Sequence, residues 1–225
     1  MTRSTLRGAT ADLIDTDRYP LGRPDSAAWA VVVERVRADL RLDGCSVLRG
    51  FVPGDRIPEG GLLSRLHRAP ETQRFVAACV DVPEVVPLAG PCLDVLSPGQ
   101  EHPWHFDTDE FAVTLLTRAP EGGGVFEYVP GIRTASDENP YAVGAVLHGE
   151  HDRVRSLRLR AGDLQIFRGR YSLHRVTAVT GAVERHTAVL CYTERTAAST
   201  GRSPSSGSRT GGRELLGQTG QLSSR

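Results

Sequence analysis

Apolar residues Trp29, Val32, Val33, Val36 and Leu40 recur at helical spacing, the stripe of an amphipathic helix. Asp25 or Ser26 can cap its start and Gly44 ends it. The residues ahead of it, 1–24, are polar and poorly periodic. Cys45 to Phe51 reads as a strand closed by Gly50 and Pro53. Two amphipathic helical pieces follow, around Leu62–Leu66 and Thr72–Cys79, punctuated by prolines at 70, 83 and 87.

From Cys92 the pattern changes to short β-rich runs: Cys92–Leu96, Phe111–Leu116, Val125–Val129, Val154–Leu159, Leu164–Phe167, Leu173–Val179 and Thr187–Tyr192. Turn clusters separate them at Pro98-Gly99, Gly122-Gly123-Gly124, Pro130-Gly131, Ala161-Gly162-Asp163 and Thr180-Gly181. Many short strands at this spacing predict a sandwich or jelly roll, not alternating β-α-β units. One helix is expected in a long connection, at Asn139–Leu147. The segment from Arg195 to Arg225 has 17 Ser, Thr or Gly among its 31 residues and no aromatic. Such a segment buries too little apolar surface to offset its chain entropy, so a disordered tail is expected over 195–225.

The 225 residues suffice for one sizeable domain. Twenty-seven basic residues balance 27 acidic ones, which gives no electrostatic case for nucleic acid or an anionic membrane as partner. All the basic residues are arginine, so lysine Schiff-base chemistry is excluded. No signal peptide or membrane-spanning stretch is visible, and a cytoplasmic location is expected. Cys45, Cys79, Cys92 and Cys191 form no Cys-x-x-Cys pair, which argues against a cysteine zinc site or a disulfide framework. Cys45, Cys79 and Cys191 have apolar neighbours and read as buried, reduced core residues.

The chemistry concentrates in His105-Phe106-Asp107, His174 and Arg185. Two histidines and one carboxylate can occupy one face of an octahedral iron(II), leaving the other face for a co-substrate and oxygen. His105 and Asp107, two apart on an extended segment, lie on one side of it. A jelly roll can bring the strand-like run around His174 beside them. On the run Glu184-Arg185-His186-Thr187, alternation puts Arg185 and Thr187 on one face, a cradle for a buried carboxylate. His67, His148, His151 and His186 read as solvated or structural.

These residues resemble the iron(II)/2-oxoglutarate-dependent dioxygenases. The run Gly122 to Gly131 and the run Gly162 to Phe167 are also similar to that superfamily, and the likeness spans roughly 44–194. It implies a mainly β, double-stranded β-helix core (a cupin-like jelly roll) over 44–194, with residues 1–43 as an arm and helix packed on it. Within the superfamily the chain looks closest to bacterial free-amino-acid hydroxylases and halogenases and to natural-product tailoring oxygenases.

The resemblance implies Fe(2+) held by His105, Asp107 and His174, with 2-oxoglutarate chelating it and anchored by Arg185 and Thr187. The remaining partners are then O2 and a small molecule, with an amino acid or amino-acid-derived metabolite expected. Halogenating relatives carry a small residue where Asp107 stands, so hydroxylation of an unactivated C–H bond is the expected outcome. Arg49 and His102 are the substrate-binding candidates, with Trp104, Glu127 and Arg133 as further possible pocket residues. The alternative is a cupin-like metal-binding protein or a catalytically silent relative.

Overall fold

The helix α2 (Ala27–Asp43) starts where the Ser26 hydroxyl accepts the Trp29 amide at 3.2 Å and ends at Gly44, whose φ is 63°. A computed structural model describes residues 8–57 and 61–195. The expected tail lies outside these residues apart from Arg195, which pairs with Glu84.

In chain order, a short α1 (Gly8–Ala11) precedes α2, and β1 (Cys45–Leu48) follows it. Next come α3 (Gly61–Arg68), α4 (Pro70–Val80), β2 (Val85–Pro87), β3 (Cys92–Leu96), β4 (His102–His105) and β5 (Ala112–Arg118). The ladder continues with β6 (Gly122–Gly123), β7 (Phe126–Val129), α5 (Pro140–Leu147), β8 (Arg155–Leu157) and β9 (Leu164–Phe167). It closes with β10 (Leu173–Val176), β11 (Val179–Thr180), β12 (Arg185–Leu190) and β13 (Tyr192–Glu194).

Two antiparallel sheets form the roll, a five-stranded one in the order β1-β9-β5-β12-β3 and a four-stranded one in the order β4-β10-β7-β8. This is the double-stranded β-helix. Its side-chain period of two sorts residues between three apolar layers. Leu164 and Ile166 of β9, Val113 and Leu115 of β5, and Ala188 and Leu190 of β12 face the helices and pack with Val33, Val36, Leu40, Leu66 and Phe75. Phe167, Leu96, Phe126, Tyr128 and Val176 fill the space between the sheets. Leu173 and Val129 pack beneath α5 with Val146 and Ile132. Each fully buried aliphatic side chain of this kind contributes about 1.5–3 kcal/mol, so the stripe of α2 anchors it to the five-stranded sheet.

The structure differs from the sequence reading in three places. The polar-looking arm tucks Ile14, Tyr19 and Leu21 into the helix-side core, where each is at most 2% exposed. Its apolar residues are too sparse for periodicity to reveal. Four short strands, β2, β4, β6 and β11, were not legible by alternation; β4 contains a proline, and β6 is two glycines. Cys191 is only half-buried and Cys92 is exposed, whereas burial pushes the Cys45 thiol up to about 12. Among the described residues no helix is long and apolar enough to cross a membrane.

Candidate metal centre

His105 ends β4 and His174 lies in β10, and the two residues are direct cross-strand partners with ring centroids 4.1 Å apart. Asp107 follows β4 by two residues, and its amide donates to the Gly169 carbonyl at 3.2 Å. Its Oδ1 lies 3.9 Å from His105 Nε2 and 3.5 Å from His174 Nε2. One ligand atom from each of the three side chains lies within 4.8 Å of the others, so they converge on one point.

The backbone selects the tautomers. His105 Nδ1 is 2.7 Å from the Pro103 carbonyl, and His174 Nδ1 is 2.9 Å from the Ser172 carbonyl. A carbonyl only accepts, so each Nδ1 carries the proton and each Nε2 presents a lone pair to the common point. Outer hydrogen bonds of this kind orient imidazole ligands and raise their basicity. Burial, helped by the neighbouring His174, pushes the His105 imidazole down to about 4, and so keeps it neutral. Aromatic rings wall the distal histidine, with Phe167 at 4.8 Å and Phe126 at 5.6 Å. The donor set, its tautomers and its convergence fit a divalent iron centre with two imidazoles and one carboxylate.

Arg185 and Thr187 point from β12 into the space between the sheets and are 4% and 5% exposed. The guanidinium Nη1 donates to the Thr187 hydroxyl at 2.5 Å. Among the described residues no carboxylate stands within ion-pair distance of Arg185. Burial pushes it down to about 10, with the charge of Asp94 opposing. A buried cation without an ion-pair partner is costly, and an anion arriving beside it recovers that cost. Gly124 makes room for this side chain: a Cβ there would stand 3.0 Å from Arg185 Cδ.

His102 lies beside the centre. Its Nε2 is 2.8 Å from Asp94 Oδ2, and its ring centroid is 6.3 Å from that of His105. Asp94 is the cross-strand partner of Thr187, so the pair joins the metal strand of one sheet to the clamp region of the other. Sequence reasoning missed Asp94, although Cys92, Asp94 and Leu96 alternate onto the face shared with Thr187 and Arg185.

Arg49 lies elsewhere. It donates to Asp163 Oδ2 at 2.7 Å and to the Arg158 carbonyl at 2.9 Å. Its strand is at the far edge of the five-stranded sheet, three strands from β12, about 14 Å at ordinary strand spacing. The buried Asp163 carboxylate also accepts the Gly50 and Arg160 amides, so this is a structural staple of the β8–β9 turn, not a substrate grip. Trp104 faces outward, with the Arg175 guanidinium 4.8 Å from its ring centroid, and Glu127 pairs with Arg175. Arg133 stacks on Phe106 at 3.7 Å. His186 pairs with Glu184 at 2.9 Å, and His67 is buried with its Nε2 2.8 Å from the Cys191 carbonyl.

Comparison with solved structures gives the same fold. The non-haem α-ketoglutarate-dependent epimerase SnoN from nogalamycin biosynthesis is 16% identical, over 73% of this chain and 82% of that one, with a TM-score of 0.55. HygX from Streptomyces hygroscopicus, solved with nickel and 2-oxoglutarate bound, is 15% identical over 71% and 86%, with a TM-score of 0.52. A 2OG-Fe(II) oxygenase family oxidoreductase from Burkholderia pseudomallei is 15% identical over 71% and 89%, with a TM-score of 0.51. No curated protein matches the chain. The family model described as Halogenase D, HalD, matches residues 91–207, just over half of the sequence, from β3 past the last strand of the roll. With its roll, its His-x-Asp and distal-histidine cluster and this match, the chain belongs to the Halogenase D family.

Proposed function

We propose that the protein is an iron(II)- and 2-oxoglutarate-dependent oxygenase that hydroxylates an unactivated C–H bond of a small molecule. The expected substrate is an amino acid or an amino-acid-derived metabolite. The observation that carries this reading is the convergent His105–Asp107–His174 donor set together with a buried Arg185 that faces the space between the sheets and has, among the described residues, no carboxylate within ion-pair distance. A metal-binding jelly roll of other chemistry has no need of the second feature.

His105, Asp107 and His174 would hold the metal by Nε2, a carboxylate oxygen and Nε2. Bound there with 2-oxoglutarate, iron(II) supplies oxygen activation coupled to oxidative decarboxylation of the co-substrate to succinate. Arg185 and Thr187 bind the distal carboxylate, the guanidinium through charge-assisted hydrogen bonds and the hydroxyl through a further one. Phe126 and Phe167 exclude water from the histidine side of the centre. His102, oriented by Asp94, is placed to contact a substrate's polar group beside the centre. Asp107 keeps a carboxylate where the resemblance gives halogenating relatives a small residue, and this supports hydroxylation over halogenation within the family.

The direct test is anaerobic addition of iron(II) and 2-oxoglutarate to purified protein. A weak visible metal-to-ligand charge-transfer band is expected. Its absence in folded, metal-loaded protein would sink the reading. A panel of free amino acids, followed by succinate formation in air, then tests the substrate class.

A further inference from the structure

We propose that Gly169 is a positioning residue for the carboxylate of Asp107. The inference rests on the reading of His105, Asp107 and His174 as a metal site.

Gly169 is buried in the turn between β9 and β10. A Cβ built on it would stand 1.7 Å from Asp107 Oδ2, 2.5 Å from its Cγ and 2.9 Å from its Cβ. The Asp107 side chain, Oδ2 foremost, therefore occupies the space that any side chain at 169 would need. The φ of Gly169 is not positive, so no left-handed backbone conformation demands glycine at 169. What requires glycine here is the space taken by Asp107 and not the turn.

The two residues are also tied through the main chain, because the Asp107 amide donates to the Gly169 carbonyl at 3.2 Å. With its amide and its carboxylate both against one residue, Asp107 has little freedom left. Oδ2 rests on the glycine, and Oδ1 faces the two imidazoles at 3.5 and 3.9 Å.

The turn cannot easily withdraw. The Arg168 amide donates to the Gly44 carbonyl at 2.8 Å, and the Arg170 guanidinium donates to the Thr108 carbonyl. These bonds hold the turn on both sides of the glycine. A methyl group at 169 must then displace the short Asp107 side chain and swing Oδ1 away from the point where the imidazoles converge.

The test is manganese(II) binding, read from the electron paramagnetic resonance signal of the free ion. The proteins are wild type, Gly169→Ala, Asp107→Ala and the double variant, with circular dichroism confirming the fold of each. Gly169→Ala is expected to weaken manganese binding about 10–100-fold, the range for loss of a residue that orients a ligand. In the Asp107→Ala background the same change is expected to cost less than about twofold, because the group it displaces is gone.

An equal loss in both backgrounds would mean that glycine acts through the fold, and would overturn the inference. So would wild-type affinity in Gly169→Ala. If Asp107→Ala itself binds manganese like wild type, the metal reading fails instead, so the two failures are distinguishable. Should Gly169→Ala not fold, the Asp107→Gly, Gly169→Ala double variant decides. Recovered folding confirms the steric contact, and continued misfolding overturns it.

Discussion

His102 and His105 are three residues apart on one strand yet face the same side of the sheet. The cause is a register shift in which β4 spends four residues, His102 to His105, against three on β10, His174 to Val176. The extra residue is a β-bulge, and bulges re-aim side chains next to active sites. Pro103 sits within it, where a missing amide is tolerated. The bulge turns Trp104 out to Arg175 and brings His102 in to Asp94. Straightening it, by deleting Trp104, would leave His102 and His105 two apart and still on one face, so His102 is expected to stay beside Asp94 while the Trp104–Arg175 stack is lost. Crystallography of that variant checks it, and a His102 turned away from Asp94 would overturn the bulge reading.

Replacing Arg185 with Gln should weaken 2-oxoglutarate binding by about 2 kcal/mol or more, since a buried charge-assisted contact is lost. Thr187→Val should cost less, about 1 kcal/mol, as one neutral hydrogen bond is removed. Titration of the anaerobic charge-transfer band measures both. Unchanged affinity in the Arg185 variant would move the clamp elsewhere.

Asp94→Asn removes the charge that orients His102 while keeping its shape. The expected result is a raised KM for the organic substrate, with iron affinity close to wild type. A change confined to iron affinity would show that the pair serves the metal and not the substrate.

The metal-free protein should lose stability on acidification. The ordinary histidine value is 6.5, and the folded protein holds His105 at about 4. Between those values the unfolded chain binds a proton that the folded chain refuses, so acid favours unfolding. The contribution of His105 is complete above pH 6.5 and is lost as pH falls toward 4. Thermal unfolding of metal-free wild type and His105→Gln across this window checks it, because the variant should show a shallower acid dependence.

Arg49→Gln should destabilise the fold by about 1–2 kcal/mol, because Asp163 keeps its two amide donors but loses its charged partner. KM for the substrate should not move. Urea unfolding alongside steady-state kinetics separates the two effects, and a raised KM would return Arg49 to the site.

What the sequence revealed followed from period and residue type. Ser26 and Gly44 bound the first helix because capping depends on one residue each. Leu164–Phe167 was recoverable as a buried apolar run, and Arg185 and Thr187 as an alternating pair on one strand. His105, Asp107 and His174 were legible as ligand types, and the roll supplied the register that brings them together. Arg49 misled because an arginine after a strand looks the same whether it meets a ligand or a buried Asp163. Asp94 and Gly169 stayed hidden because their significance depends on cross-strand neighbours far along the chain.

The Pro103 and Ser172 carbonyls, which fix the protons of the two imidazoles, belong to the main chain. No side-chain substitution can delete them. The choice of coordinating nitrogen is thus written into the path of the backbone, and random mutation can reach it only by bending that path. Variation at residues 103 and 172 should leave the tautomers intact wherever the strands survive, so the surroundings of the two imidazoles can be remodelled without changing which nitrogen faces the centre.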